Sequence, residues 1–155
     1  MTNDRATALG LAPPDPLPDD VAALFAKCQE KLGLVPNVLV AYAHRPEKLR
    51  AFSEMYNDLM LGPSGLSKLE REMIAVAVSA ENRCWYCLVA HGAAVRTLSG
   101  DPALGEAIAF NHRYADLTPR QRAMIDFAVK ITRTSAEIEE PDRAALRAHG
   151  LTEED

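Results

Sequence analysis

A repeated segment constrains the fold of this chain more than any other feature of its sequence. Residues 66–78 return as residues 117–129, with the same amino acid at six of the thirteen aligned positions. Each copy opens with Ser67 or Thr118, and a glutamate or glutamine follows three residues later, which is the capping-box signature of a helix start. Apolar residues then recur at helical spacing. The repeat therefore predicts a duplicated helical hairpin in an all-α fold.

The rest of the chain carries further helix signals. No stretch alternates apolar and polar residues for long enough to indicate a strand. Prolines, acidic residues and hydroxyl side chains mark the starts, whereas Gly33 and Gly62 mark two of the ends. We predict helix starts at Asp19, after Pro36, after Pro46, at Ser67, at Asp101, at Thr118 and at Pro141.

The length of the chain bounds its domain organisation. A chain of 155 residues can bury a core of its own, so we predict a single domain over residues 1–155. Prolines crowd positions 13–18 and make residues 1–18 an extended leader. The last five residues resemble the opening of a helix capped by Thr152, without the apolar residues that would complete it. We therefore expect a truncated C-terminal helix and an apolar groove that a partner subunit covers.

Composition and charge argue against several classes of function. The net charge of −5 disfavours nucleic acid and anionic membranes as partners, because both attract a basic surface. No apolar run approaches the length of a membrane span, and the first residues lack the apolar core of a signal peptide. We expect a cytoplasmic protein, in which a close cysteine pair is catalytic or metal-binding rather than a structural staple.

Residues 84–91 carry the densest chemistry in the chain. They hold two of the three cysteines, one of the four histidines and the only tryptophan. Cys84 and Cys87 are separated by two residues and can close a disulfide with little distortion of the chain. His91 follows Cys87 by four residues, so their side chains share a face if the segment is helical. This combination predicts thiol redox chemistry with an imidazole as proton carrier.

The two cysteines differ in their expected roles. Residues 81–83 are typical of a junction between two helices, the second of which carries Cys87. Unpaired amides at such a helix start stabilise a thiolate, so Cys87 is the favoured nucleophile, and Arg83 either adds positive charge or is simply a solvated side chain. Cys84 lies one turn earlier, where it can attack an oxidised Cys87 and form the disulfide. Spacing alone leaves the reverse assignment open.

A histidine and a glutamate complete the candidate site. His91 is the candidate acid–base group, because imidazole changes its charge near neutral pH. Glu72 lies on a partly buried helix face and needs a partner there, which an imidazole from the next helix can provide. Ala123 occupies the same place in the second copy, so packing does not require a carboxylate. A core histidine and a solvated carboxylate are the alternative interpretations.

Metal binding is the competing chemistry. Cys84, Cys87 and His91 are three potential zinc ligands, and Glu72, His112 or a water would be the fourth. Structural zinc sites usually draw on two paired ligand clusters, and the sequence has no second Cys/His cluster. The sequence therefore favours redox chemistry, and we expect neither a metal nor a cofactor.

Several other residues are interpreted as structural. Cys28 is expected to pack as a small hydrophobe. Trp85 and Tyr86 are expected to pack at a helix start, where Tyr86 can also offer its hydroxyl to the site. The remaining histidines are interpreted as helix-end residues, at His44 and His149, or as exposed surface, at His112.

The spacing of the candidate residues resembles a known family signature. A glutamate, eleven residues, Cys-x-x-Cys, three residues and a histidine are typical of AhpD-like alkylhydroperoxidases, within the carboxymuconolactone decarboxylase-like superfamily. The matching residues are Glu72, Cys84, Cys87 and His91. Residues 33–37 and 43–46 further resemble the branch called peroxidase-related enzymes, and the resemblance covers roughly residues 30–135.

The resemblance implies an all-helical homo-oligomer with antioxidant peroxidase activity. Cys87 would be the peroxidatic cysteine and Cys84 the resolving one. Glu72 and His91 would form the relay that deprotonates Cys87 and returns a proton to the leaving alcohol. The substrate would be an organic hydroperoxide or hydrogen peroxide. A dithiol such as dihydrolipoamide, or a thioredoxin-like protein, would then reduce the disulfide.

One departure from the family pattern keeps two other functions open. The best-studied alkylhydroperoxidases carry a histidine directly before the second cysteine, where this chain has Tyr86. A disulfide oxidoreductase that acts on thiol partners without peroxide is therefore an alternative. A non-enzymatic redox-sensing or zinc-binding interaction module is another. Because the decarboxylase branch of the superfamily lacks the cysteine pair, the resemblance does not imply lactone decarboxylation.

Overall fold

The computed structural model describes residues 6–8 and 10–155, and every regular element in this part of the chain is helical. The all-α prediction is therefore confirmed. None of these helices combines the length and the apolar character needed to cross a membrane. The α-helices are α1 (Asp19–Leu32), α2 (Asn37–Ala43), α3 (Pro46–Leu61), α4 (Lys68–Glu81), α5 (Trp85–Ser99), α6 (Leu104–Asn111), α7 (Pro119–Thr134) and α8 (Glu140–Ala148).

The predicted helix starts agree with the structure to within a residue, with one exception. Helix α6 begins at Leu104, three residues after Asp101. The carboxylate of Asp101 instead accepts the N–H of Ala103 at 2.7 Å, which closes a turn before the helix. Residues 6–8 and 10–18 contain no helix, as predicted for the leader, whereas residues 1–5 and 9 lie outside the described part of the chain.

The chain divides into two compact units between Leu59 and Met60. In the first unit, Val21, Ala43 and Leu49 form a small apolar core. A bidentate ion pair joins Asp20 of α1 to Arg50 of α3, with N–O distances of 2.6 and 2.9 Å. The Arg50 guanidinium lowers the pKa of Asp20 to about 2. The single domain predicted over residues 1–155 stays a prediction.

The second unit holds the repeat and the larger core. Helix α4 packs against α5, α6 and α7, and α7 also packs against α8. Each repeated segment thus lies in a helix that packs against the helix after it, as the predicted hairpin duplication requires. Side chains that are at most 3% exposed fill the core of this unit, and they are Met73, Val76, Ala77, Val95, Ile108, Met124 and Ile125.

Both copies of the repeat begin as predicted. In the first copy, Ser67 Oγ accepts the N–H of Glu70 and the Glu70 carboxylate accepts the N–H of Ser67. Thr118 and Gln121 repeat this reciprocal pair in the second copy, with Pro119 as the first helical residue. These bonds satisfy amide groups that a helix start would otherwise leave unpaired.

Equivalent arginines hold the chain before each repeated helix. Arg71 donates to the carbonyl oxygens of Leu66 and Gly62, at 3.2 and 2.7 Å. Arg122 occupies the same position in the second copy and donates to the carbonyl oxygens of His112 and Ala115. Each arginine therefore fixes the segment that precedes its own helix, and the two copies share this device as well as the cap.

A third arginine ties the two copies together. Arg120 of α7 donates to the Glu70 carboxylate at 2.9 Å and to the carbonyl oxygens of Gly65 and His149. Burial works to raise the pKa of Glu70, but hydrogen bonds from Ser67 and Arg120 outweigh it, and the pKa lies below its usual range. The cap of α4 is consequently an ionised group whose partners come from both copies.

Candidate active site

A tight turn between α4 and α5 sets the position of the cysteine segment. The N–H of Cys84 donates to the Ser79 carbonyl oxygen at 2.9 Å, which closes the end of α4. Arg83 takes a left-handed conformation with φ of 52°, a conformation that costs a side-chain-bearing residue about 1–2 kcal/mol. This turn reverses the chain and places Cys84 directly before the first residue of α5.

The two cysteines form a disulfide at the start of α5, with Cα atoms 5.3 Å apart. Cys84 is the N-cap, and its Sγ accepts the N–H of Cys87 at 3.3 Å. The sequence predicts that the amides of this helix start stabilise a thiolate on Cys87, whereas the observed amide bond goes to Cys84. The physical reason is the N-cap geometry, in which the amide of the third helical residue points back at the cap side chain.

Glu72 and His91 meet between the two helices of the hairpin. Glu72 Oε2 lies 2.7 Å from His91 Nδ1, and their side chains are 15% and 21% exposed. A short contact in this sheltered position is worth more than an exposed ion pair, because little water competes for it. The sequence-based expectation that a carboxylate on α4 takes an imidazole partner from the next helix is confirmed.

The arrangement allows a defined proton path. Because Nδ1 of His91 is taken up by Glu72, Nε2 is the ring nitrogen that remains to exchange a proton with a substrate or a thiol. Cys87 and His91 are one helical turn apart on α5, so their side chains share a face of that helix. All four predicted site residues therefore lie in the α4–α5 hairpin, with a carboxylate that orients the histidine.

The structure corrects the interpretation of the two aromatic residues between the cysteines. Trp85 is 79% exposed and Tyr86 is 41% exposed, so the packing predicted at the helix start is absent for Trp85 and only partial for Tyr86. They occupy the first turn of α5, directly after the N-cap Cys84. Val89 follows on the same helix at 50% exposure. The disulfide is consequently bordered by apolar and aromatic surface.

The interpretation of His112 as exposed surface is also wrong. Its side chain is only 12% exposed, and its Nε2 lies 3.0 Å from Asp126 Oδ1 of α7. The pair forms because α7 packs beside the short 3₁₀ helix His112–Tyr114, a contact that the local sequence does not reveal. His44 and His149 follow the last residues of α2 and α8, as predicted for helix-end residues.

The competing zinc interpretation gains no support from the geometry. Within the described ranges 6–8 and 10–155, no three Cys, His, Asp or Glu side chains are grouped so that they would ligate a metal ion. Cys84 and Cys87 are consumed in the disulfide, and His91 already has Glu72 as its partner. Cys28 is a free, half-buried thiol in the first unit.

An all-helical fold with a Cys-x-x-Cys disulfide at a helix start, beside a glutamate–histidine pair, defines a class of helical redox-site proteins. A family model described as the carboxymuconolactone decarboxylase family matches residues 46–103. The matched range includes Glu72, both paired cysteines and His91. No curated protein matches the chain.

Solved structures extend the match to almost the whole chain. A peroxidase-related protein from Silicibacter sp. TM1040 is 66% identical, with a TM-score of 0.93 over 97% of this chain and 79% of that one. The alkylhydroperoxidase AhpD core of a peroxidase-related protein from Ralstonia eutropha JMP134 is 50% identical, with a TM-score of 0.85 over 91% and 74% of the two chains. The chain belongs to the AhpD-like alkylhydroperoxidase family, in its peroxidase-related branch.

Proposed function

We propose that this protein is a thiol-dependent peroxidase that reduces organic hydroperoxides, or hydrogen peroxide, through Cys87 and Cys84. The hydrogen bond of 2.7 Å between Glu72 and His91, in the same hairpin as the disulfide, carries the proposal. A carboxylate that fixes one ring nitrogen of a histidine leaves the other for general acid–base work. Family membership supports an alkylhydroperoxidase-type function in general.

The oxidative step transfers one oxygen atom. His91 Nε2 takes the proton of the Cys87 thiol, and the thiolate attacks the terminal oxygen of the hydroperoxide. The O–O bond breaks, Cys87 becomes a sulfenic acid, and the leaving alkoxide takes the proton from His91 to become an alcohol. Glu72 stabilises the imidazolium between these two proton transfers, because its carboxylate accepts from Nδ1.

The resolving step explains the role of the N-cap sulfur. Cys84 attacks the Cys87 sulfenic acid, the S–O bond breaks, and hydroxide leaves as water after protonation. An attacking thiol must first lose its proton, and the Cys87 amide that bonds Cys84 Sγ in the disulfide favours charge on that sulfur. Cys84 is thereby suited to resolve, while the relay serves Cys87.

A dithiol returns the enzyme to its reduced state. One thiolate of a dihydrolipoamide-like or thioredoxin-like reductant attacks Cys87, and Cys84 leaves as the thiolate that the helix start stabilises. The second thiol of the reductant then displaces Cys87 and closes the reductant's own disulfide. The reductant loses two electrons, which reduce the hydroperoxide to one alcohol and one water over the full cycle.

A single-turnover reaction tests the assignment. The reduced, metal-free protein is mixed with an alkyl hydroperoxide, and alcohol formation, thiol loss and sulfenic acid are followed in each variant. Wild type should form one alcohol and one disulfide per chain. Cys87→Ser should form no alcohol, whereas Cys84→Ser should form the alcohol but stop at a sulfenic acid that dimedone traps. His91→Ala should slow alcohol formation by about 100-fold or more.

His112 provides a matched control. It is also a histidine bonded to a carboxylate, at 3.0 Å from Asp126, but outside the cysteine hairpin. His112→Ala should leave single-turnover alcohol formation within about twofold of wild type, because general acid–base catalysis needs a group in reach of the reacting atoms. Wild-type peroxide consumption no faster than that of a free thiol would sink the peroxidase proposal. Trapped sulfenic acid on Cys84 in Cys87→Ser would reverse the cysteine roles.

Exposure around the disulfide favours one alternative, a disulfide oxidoreductase that exchanges electrons with protein thiols and does not use peroxide. Trp85 and Tyr86 border the disulfide and are 79% and 41% exposed, so a protein partner can approach it. This alternative predicts slow peroxide turnover together with fast disulfide exchange in the same protein. Zinc bound tightly by the reduced protein would instead favour a non-enzymatic module.

We also propose homo-oligomer formation and a cytoplasmic location. Phe110 and Tyr114 are 91% and 88% exposed, and such aromatic surface on a monomer usually marks a contact with another chain. A cytoplasmic location would supply the dithiols that the cycle consumes. Light scattering of the purified protein tests the first proposal, and fractionation of cells that express it tests the second.

A further inference from the structure

Two glycines allow α5 and α6 to touch backbone to backbone. A Cβ atom added to Gly105 of α6 would lie 3.3 Å from both the Cα and the carbonyl oxygen of Gly92 in α5. Both glycines are buried. A contact of 3.3 Å is tighter than nine in ten real Cβ contacts, and its partner is backbone, which cannot rotate away. A side chain at position 105 therefore requires the Gly92 backbone to give way by a few tenths of an ångström.

This contact lies next to the proposed proton relay. Gly92 directly follows His91, whose Nδ1 bonds Glu72 of α4 at 2.7 Å. Helix α5 packs against both α4 and α6. The position of α5 between these two helices sets the distance between His91 and Glu72, and a shift of α5 changes that distance directly.

We propose that Gly105 is a positioning residue of the relay, because the absence of its side chain fixes the α5 backbone at Gly92 and thereby the His91–Glu72 hydrogen bond. The inference rests on the proposed peroxidase function for its kinetic consequence. Its structural consequence, the geometry of His91, does not depend on that function. An exposed ion pair between Arg96 of α5 and Glu106 of α6 supports the same helix contact from the surface.

Two alanine substitutions at the same contact provide a matched test. In Gly105→Ala the new methyl group points into the Gly92 backbone. In Gly92→Ala it would meet only the Arg96 guanidinium, at an ordinary 3.6 Å, and alanine is the better helix former. Gly105→Ala should slow single-turnover alcohol formation by about tenfold, because small displacements of an acid–base group are costly. Gly92→Ala should stay within about twofold of wild type.

Two readouts separate a positioning role from general destabilisation. The pH at which the single-turnover rate is half-maximal should move upward in Gly105→Ala, since a displaced relay no longer helps to deprotonate the thiol. The ring nitrogen and Nδ1 proton signals of His91 should shift in the NMR spectrum of Gly105→Ala and stay near their wild-type values in Gly92→Ala. Ile125→Val, in the core on α7, should lower the melting temperature without moving either readout.

Unchanged rate, pH midpoint and His91 signals in a folded Gly105→Ala protein would overturn the proposal. If Gly105→Ala does not fold, Glu106→Gln removes the exposed ion pair that supports the same helix contact, and His91 signals that stay at their wild-type values in that variant would overturn the proposal. If wild type itself reduces no peroxide, the peroxidase assignment fails while the His91 signals still decide the positioning role.

Discussion

The two copies of the repeat share a scaffold and differ in chemistry. Both begin with a reciprocal cap, and both use an arginine, Arg71 or Arg122, to hold the preceding segment. Only the first copy places a carboxylate, Glu72, at the position that Ala123 fills in the second. Only the first copy is followed by a helix that begins with a cysteine pair.

The difference shows where a helical hairpin can accept a reactive group. Position 72 lies at the edge of the core, where the helix after α4 covers it only partly, and its side chain stays 15% exposed. The neighbouring Met73 is fully buried, and its counterpart Met124 in the second copy is only 3% exposed. Caps, arginines and core residues are shared because packing requires them, whereas the edge position is open to a functional residue.

The largest expected effect comes from giving the first copy the residue of the second. Glu72→Ala should leave the helical fold intact, since alanine serves at the equivalent position 123. It should slow single-turnover alcohol formation by about 100-fold, because His91 loses the carboxylate that orients its ring. Stopped-flow kinetics with circular dichroism of the same samples measure both effects. A loss of helical signal would mean that the carboxylate is structural.

Replacing either of the two equivalent arginines should lower the stability of the fold by a similar amount. Arg71→Met and Arg122→Met each remove hydrogen bonds from a charged donor to two carbonyl oxygens. Each should reduce the free energy of unfolding by about 2 kcal/mol, because the carbonyls are left without their partner. Urea denaturation gives the two values. A cost in one copy that is several times the other would show that the arginines are not equivalent.

The two helix caps should each contribute less to the free energy of unfolding than the arginines, and their two contributions should be similar. Ser67→Ala and Thr118→Ala each remove the acceptor for one helix-start amide. We expect each to reduce the free energy of unfolding by about 1 kcal/mol. The double variant should lose the sum of the two free energies, because the two caps are separate. A loss that differs from the sum would show that Arg120, which reaches Glu70 from α7, couples them. A double-mutant cycle from the same urea curves measures that coupling.

The smallest expected effect is a difference in acid sensitivity. Glu70 titrates and Gln121 does not, and the pKa of Glu70 lies below its usual 4.5 because its hydrogen-bond partners outweigh burial. A lowered pKa in the folded state means that the contribution of Glu70 is present above the unfolded-state value and is lost as pH falls through the folded-state value. Glu70→Gln should therefore flatten the stability profile between about pH 5 and pH 3. An unchanged acid slope would contradict this.

Local signals explain why so much of the fold was predictable. Capping residues and prolines mark all seven predicted starts, and six agree with the structure to within a residue, because such residues satisfy or tolerate unpaired amides wherever the helix later packs. The pairing of Glu72 with His91 was also predictable, since a carboxylate on a half-buried face needs a partner. Both inferences rest on unpaired polar groups that a short segment of the sequence already reveals.

Features that depend on neighbours were not predictable in the same way. Whether Trp85 faces core or solvent depends on what lies beside the first turn of α5, and the pattern of a few residues does not show this. His112 becomes sheltered only because α7 packs beside it. The Gly92–Gly105 contact joins two helices and was not predicted from the sequence; a glycine inside each helix is the signal that could have indicated a close approach.

The exposed indole between the two cysteines has a practical consequence. Trp85 is the only tryptophan in the chain, so all of the indole emission of the protein originates within one residue of the disulfide. Disulfides quench nearby indoles more strongly than thiols do, and a largely solvated ring reports such changes without interference from a second fluorophore of its kind. The tryptophan fluorescence of the protein thus reports cysteine oxidation in real time without a label.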